Sequence, residues 1–175
     1  MYDSQASLSA HNRRYTDERK RANMNLMLSL GLKIILVITT SVILHLVGNE
    51  YSNSYMIILI YITCSATLIY TVVSLLLHFA TIARCREDLG SCALAEILLA
   101  ASGIIWWCLV CGYSGNIAMR TVEDTGEPFG WASGLSGINI AIFLALVVIF
   151  TGQLFRSTLE QNEKQRRQQV TMIVR

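Results

Sequence analysis

The chain has 175 residues, of which 53% are hydrophobic and only 15% charged, with one proline and a mean hydropathy of +0.47. An average soluble domain carries about 25% charged residues to cover its surface, so a chain of this composition takes lipid as part of its solvent. The same figures exclude a disordered segment, a collagen, a coiled coil and a nucleic-acid binder, while the net charge of +2 says less than the positions of the charges.

Residues 1–25 form a polar, basic tail with Arg13, Arg14, Arg19, Lys20 and Arg21. Four apolar stretches follow, predicted as helices over about 26–47, 55–80, 89–113 and 131–155 within one membrane domain, 26–155, and residues 156–175 form a second tail. Each stretch is about 20 residues or more, and at about 1.5 Å per residue that crosses a hydrocarbon core of about 30 Å. Backbone amides in lipid must be satisfied within the segment, and runs such as LLLHFA and ALVVIF lack the alternation of a barrel strand. The fold class expected is therefore all-α, a four-transmembrane-helix bundle. The first helix follows a long polar tail and lacks a small-residue cleavage site, so it is expected to persist and not to be removed as a signal peptide. Beyond Phe155, the run RSTLEQNEKQRRQQ is rich in helix formers and extends helix four.

Charge orients the bundle. Of the 14 Lys and Arg, 12 lie in the two tails or in the loop holding Arg84 and Arg86, which leaves Lys33 inside helix one and Arg120 among acidic neighbours. The positive-inside rule places both N- and C-terminal tails and that loop in the cytoplasm. The two outward connections, 48–54 and 114–130, are too short to bury a core, and neither contains an N-x-S/T acceptor. No internal repeat or low-complexity segment is visible.

The five cysteines, Cys64, Cys85, Cys92, Cys108 and Cys111, fall in helices or on the cytoplasmic side, so no extracellular disulfide framework is expected. Cys108 and Cys111 match C-x-x-C but lack the strand-turn-helix setting of a redox enzyme, and read as buried small hydrophobes. Cys85 and Cys92 flank the cytoplasmic loop at membrane level and are candidates for palmitoylation. His45 and His78 lie at opposite ends of their helices and cannot share a metal.

Ionisable groups inside a bilayer are functional candidates by default. Lys33 and Glu96 lie at equal depth, about seven residues into two parallel helices, and form a candidate intramembrane ion pair. The alternative is that Lys33 snorkels to the headgroups while Glu96 is protonated or reaches interfacial water. The other deep residues are mostly Ser, Thr, Tyr and apolar ones, too little for a transport path. In helix four Ser133, Gly137, Ala141 and Ala145 recur every four residues, a candidate helix-packing face inside the bundle or toward another chain. Of Trp106 and Trp107, one is expected to face the bundle and the other lipid, and Phe129 and Trp131 sit where an outer interfacial anchor belongs. No nucleophile–base pair, phosphate-binding glycine loop or metal cluster is present, so neither enzyme activity nor a cofactor is expected.

Four helices, two cytoplasmic tails, a very short first outward loop, a basic cytoplasmic turn and a modest second outward loop together resemble the MARVEL family of tetraspan membrane proteins, over about residues 25–157. A tetraspanin-like chain would need a large second loop with Cys-Cys-Gly, and a claudin-like chain a long first loop with Gly-Leu-Trp and two cysteines. The resemblance implies vesicle trafficking, organisation of cholesterol-rich membrane, cell junctions, or fusion of vesicles or cells such as myoblasts, at vesicle or plasma membranes. Expected partners are the bilayer itself, with anionic lipid at the basic tails, a second copy of the chain, or other membrane proteins. Service as an accessory subunit of a channel or transporter is the alternative function.

Overall fold

A computed structural model describes residues 2–48, 55–84, 89–120 and 123–173, with side chains chiefly over 24–48, 55–77, 93–120 and 126–159. These residues form four α-helices: α1 (Tyr2–Gly48), α2 (Tyr55–Arg84), α3 (Leu89–Arg120) and α4 (Glu123–Ile173). Each contains a stretch long and apolar enough to cross a membrane, namely Met27–Gly48, Tyr55–Leu77, Ala93–Arg120 and Gly126–Leu159. The helices alternate in direction and neighbour one another in a ring, α1–α2–α3–α4 and back to α1, with the closest packing between α3 and α4. Both termini therefore lie at one end, here the terminal end, and the two connections 49–54 and 121–122 at the other, the hairpin end.

Several helix bounds differ from the sequence expectation. The Ser-Gly-Asn run after Tyr113 reads as a loop, yet α3 continues to Arg120. Burial overrides propensity there: Ser114 is fully buried and its hydroxyl donates to the Val110 carbonyl at 2.7 Å, while Ile117 and Ala118 pack against the core. Likewise α4 begins at Glu123, which places Pro128 inside it, where the missing N–H costs one intrahelical hydrogen bond. Both tails are helical extensions of α1 and α4 over their described lengths.

The buried positions reveal how the helices pack. On α1 they include Ser29, Lys33, Leu36, Thr40, Ile43 and Val47, and on α4 Phe129, Ala132, Ser136, Asn139, Phe143, Leu146 and Phe150. Steps of three and four alternate in both, a 3.5-residue period that keeps a seam facing the bundle axis and is the pattern of left-handed supercoiled helices. The seams of α2 (Ile57, Ile60, Cys64, Thr67, Thr71, Ser74) and α3 (Ala93, Glu96, Ala100, Trp107, Val110, Ser114) follow the same rule. Phe129 thus belongs to the core and is no interfacial anchor, whereas Trp131 is 64% exposed. Trp107 faces the bundle and Trp106 is exposed.

α3 and α4 approach closely at Gly103, where an added Cβ would sit 2.7 Å from the Phe143 ring. Phe143 is buried and stacked near Tyr70, with ring centroids 6.0 Å apart, so it has nowhere to retreat. Gly103→Ala is expected to cost about 1–3 kcal/mol of bundle stability by overpacking. Gly137→Ala, where a Cβ meets nothing within 4 Å, should leave the bundle as stable or raise its stability by up to about 1 kcal/mol through helix propensity. Thermal unfolding of both variants in one detergent measures the contrast.

Candidate functional site

Seam positions on all four helices converge in one layer toward the terminal end. Lys33 of α1 is 1% exposed and Glu96 of α3 is 4% exposed, and Lys33 Nζ donates to Glu96 Oε1 at 3.0 Å. α1 and α3 are not ring neighbours among the described residues, so this pair spans the bundle diagonally. Ser74 of α2 stands between them, accepting from Lys33 and donating to Glu96 Oε1. Tyr70, one turn along α2, donates to Glu96 Oε2 at 2.6 Å. From α4 the Phe150 ring faces the ammonium, with its centroid 5.2 Å from Lys33 Nζ.

The chemistry of this layer is that of charge held without water. A lone Lys or acidic side chain in a transmembrane helix costs about 2.5–3.5 kcal/mol on the insertion scale. Here the carboxylate receives an ammonium, an aliphatic hydroxyl and a phenol, while the ammonium also has the negative face of an aromatic ring. Snorkelling is not what Lys33 does in this arrangement, since its side chain is directed into the bundle and buried.

A second polar layer lies about three turns nearer the hairpin end on α4. Asn139 is fully buried; its Oδ1 accepts from the Thr39 hydroxyl and its Nδ2 reaches Thr40 Oγ1 at 3.5 Å, joining α4 to α1. Between α2 and α3, Trp107 Nε1 donates to Thr67 Oγ1 at 3.1 Å. Close to the hairpin end, Ser133 of α4 donates to the Cys111 carbonyl at 3.1 Å. Side-chain hydrogen bonds here thus bridge α1 to α4, α2 to α3 and α3 to α4, and Lys33 with Ser74 joins α1 to α2 in the first layer.

The candidate packing face of α4 does not run along the bundle interior. Ser133 does contact α3, and an added Cβ on Gly115 would lie 3.3 Å from its hydroxyl oxygen. Gly137 and Ala141, however, are exposed, and Ala145 is only half-buried. A constant step of four advances about 40° per step on a helix of 3.6 residues per turn, so such a stripe winds off the bundle interior, whereas the alternating seam stays on it. Cys108 is also exposed, while Cys111 is half-buried and Cys64 buried; the pair does not form a common buried site. His45 is exposed. Cys85, and the side chains of Cys92 and His78, lie outside the described residues. Among the described residues no three His, Cys, Asp or Glu side chains group as metal ligands.

Sequence depth alone pairs Lys33 with Glu96, but Tyr70, Ser74, Phe150 and Asn139 carry no such signal: they are ordinary residues in apolar helices. The 3.5-residue recurrence of the seam positions is the feature that would have found three of them, since Ser74 lies on the α2 seam with Thr67, and Asn139 and Phe150 lie on the α4 seam with Ser136.

Removing one charge leaves the other buried. Lys33→Met and Glu96→Gln are each expected to lower stability, the former by about 3–5 kcal/mol, and the double variant should recover much of that loss. Unfolding in detergent across the full double-mutant cycle measures the coupling, and strictly additive effects would contradict the pairing. Comparison of the chain with family models, with curated proteins and with solved structures finds no match.

Proposed function

We propose that this chain is a non-enzymatic multi-pass membrane protein that works where two membranes come together, in vesicle trafficking, membrane apposition or membrane fusion. The observation that carries the reading is the hairpin end. There α1 joins α2 through residues 49–54, and α3 joins α4 through residues 121–122, so little besides helix ends stands between this bundle and a facing bilayer. The basic residues of the tails and of the loop holding Arg84 and Arg86 favour a cytoplasmic terminal end, which turns the hairpin end outward or toward a lumen. The same residues suit anionic lipid on the cytoplasmic leaflet. The resemblance in layout to MARVEL proteins supports this reading and adds cholesterol-rich membrane and junctions as settings.

Tagged protein is expected to concentrate at vesicles or at cell contacts, and its loss to leave membranes docked but unfused or cargo misplaced. A folded soluble domain inserted between residues 121 and 122 should preserve targeting and abolish function, because it restores the steric barrier the chain lacks. Uniform distribution with no trafficking or fusion defect would overturn the reading.

One observation favours a second reading, an accessory subunit of a channel or transporter. Gly130, Gly134, Gly137 and Ala141 are exposed on α4, and an added Cβ at any of the three glycines meets nothing within 4 Å, so another helix has room to approach. Gly137→Leu is then expected to leave the bundle folded and to remove a stoichiometric partner from gentle-detergent preparations.

A further inference from the structure

α4 carries a second seam on the side turned away from the bundle. Opposite the buried positions that run from Phe129 to Phe150, positions 130, 134, 137, 141, 144, 148, 151, 155, 158, 162, 165 and 169 recur at alternating steps of four and three, and all are exposed. This is the spacing of a heptad seam, unbroken over about 60 Å of helix. Upstream, the charged Glu127 occupies the preceding position and ends it.

The stretch at the end of the apolar span shows what the outer seam avoids. The span of α4 ends at Leu159, and between Arg156 and Gln169 the charged residues are Arg156, Glu160, Glu163, Lys164, Arg166 and Arg167. None of them is on the seam, which carries Thr158, Asn162, Gln165 and Gln169 there. A helix face meant only for water has no reason to exclude charge, whereas the centre of an interface does. The Thr158 hydroxyl is turned back onto the Leu154 carbonyl at 3.0 Å. Around Asn162 the face is concave: with Leu159, Gln165, Arg166 and Gln169 it lines a groove of about 410 Å³.

Symmetry selects the occupant. Two copies inserted the same way in one bilayer meet with their α4 helices parallel, and in equal register each seam residue faces its own counterpart. A carboxamide is its own complement, one N–H donating to the other's carbonyl oxygen, so Asn162 can pair with Asn162. A single Asn on such a seam is the device that fixes two strands in register. The uncharged seam sets no like charges against each other. In the hairpin-end half, an added Cβ on Gly130, Gly134 or Gly137 meets nothing within 4 Å, which lets two backbones come close. An unrelated helix would have to match the glycines, the amides and the length separately, whereas a second copy supplies all three. We propose that the chain forms a parallel two-fold homodimer through the outer seam of α4, from Gly130 to Gln169, with Asn162 paired across the axis. The dimer does not depend on the trafficking reading, and it gives to a second copy the face that the accessory-subunit reading assigns to a foreign partner.

The test reconstitutes the full chain alone in phosphatidylcholine liposomes at falling protein-to-lipid ratios and counts copies per particle by single-molecule photobleaching. Dimers are expected. Asn162→Lys, which sets two ammonium groups together, should raise the apparent dissociation constant at least about tenfold. Gly137→Leu should do the same from within the membrane, and both positions are exposed, so the bundle itself stays folded. Asn162→Val should tighten association and admit other copy numbers, since the register residue is gone. Under oxidation, Gln165→Cys should give a disulfide-linked dimer above the wild-type background, and Arg167→Cys, about half a turn away, should not. Monomers at every ratio overturn the proposal, as do dimers that either Asn162→Lys or Gly137→Leu leaves intact. A foreign protein on this face without a second copy, in preparations from cells, also overturns it and supports the accessory subunit.

Discussion

Among the described residues, the ammonium of Lys33 is a point on which all four helices converge. It starts on α1, bonds Ser74 of α2 and Glu96 of α3, and lies against Phe150 of α4. The helices that carry the two charges are diagonal to each other, so the pair closes the ring from inside and does not merely fasten two neighbours. In the low dielectric of a bundle interior the attraction within such a pair is stronger than at a surface but is offset by desolvation of both charges, and a member left alone is costly. The position of each helix relative to the others is thereby tied to the reach of one lysine side chain.

The rest of the interior follows the same logic. Lipid is as apolar as a leucine-rich core, so helices in a bilayer gain little from hiding hydrophobic side chains from it and associate through close packing and polar bonds. This bundle keeps Ser, Thr, Asn, Lys and Glu on its seams while Leu, Ile and Val side chains such as Leu76, Leu98 and Val148 are exposed. Hydrogen bonds between helices in membranes are individually modest, about 0.6 kcal/mol on average. Their distribution over the two polar layers and the hairpin end therefore matters more for fixing rotation and register than any one of them does for stability. At Gly103 the opposite device operates: removal of a side chain lets the Phe143 ring of α4 lie against the α3 backbone.

Much of this was legible from composition and charge. Helix number and approximate position follow from apolar length, and the equal depth of Lys33 and Glu96 brings out the charged pair. The interior face was harder to read because its usual signal, apolar against polar, fails when lipid covers the outside: Leu36 inside and Ile35 outside look alike. The even four-residue spacing of Ser133, Gly137, Ala141 and Ala145 drew the eye to a face that turns away from the axis, while the seam through Ser136, Asn139 and Phe143 mixes polar, amide and aromatic residues and resembles no simple motif. The extension of α3 past Tyr113 was hidden for a different reason. Its Ser, Gly and Asn residues favour turns locally, and only the neighbouring α4 makes helix the better choice. Tyr70 could not be assigned at all without geometry, since a half-buried tyrosine in an apolar helix has many uses.

The diagonal charge pair also sets a timetable for the making of the protein. Lys33 and Glu96 are 63 residues apart in the chain, and at a synthesis rate of about 5–20 residues per second Lys33 is made several seconds before its counter-charge. During that interval the ammonium lacks its counter-charge, and reaching toward the headgroups lets a lysine side chain keep its water. The charged layer described above needs α3 in place, so its closure cannot precede synthesis of the third helix.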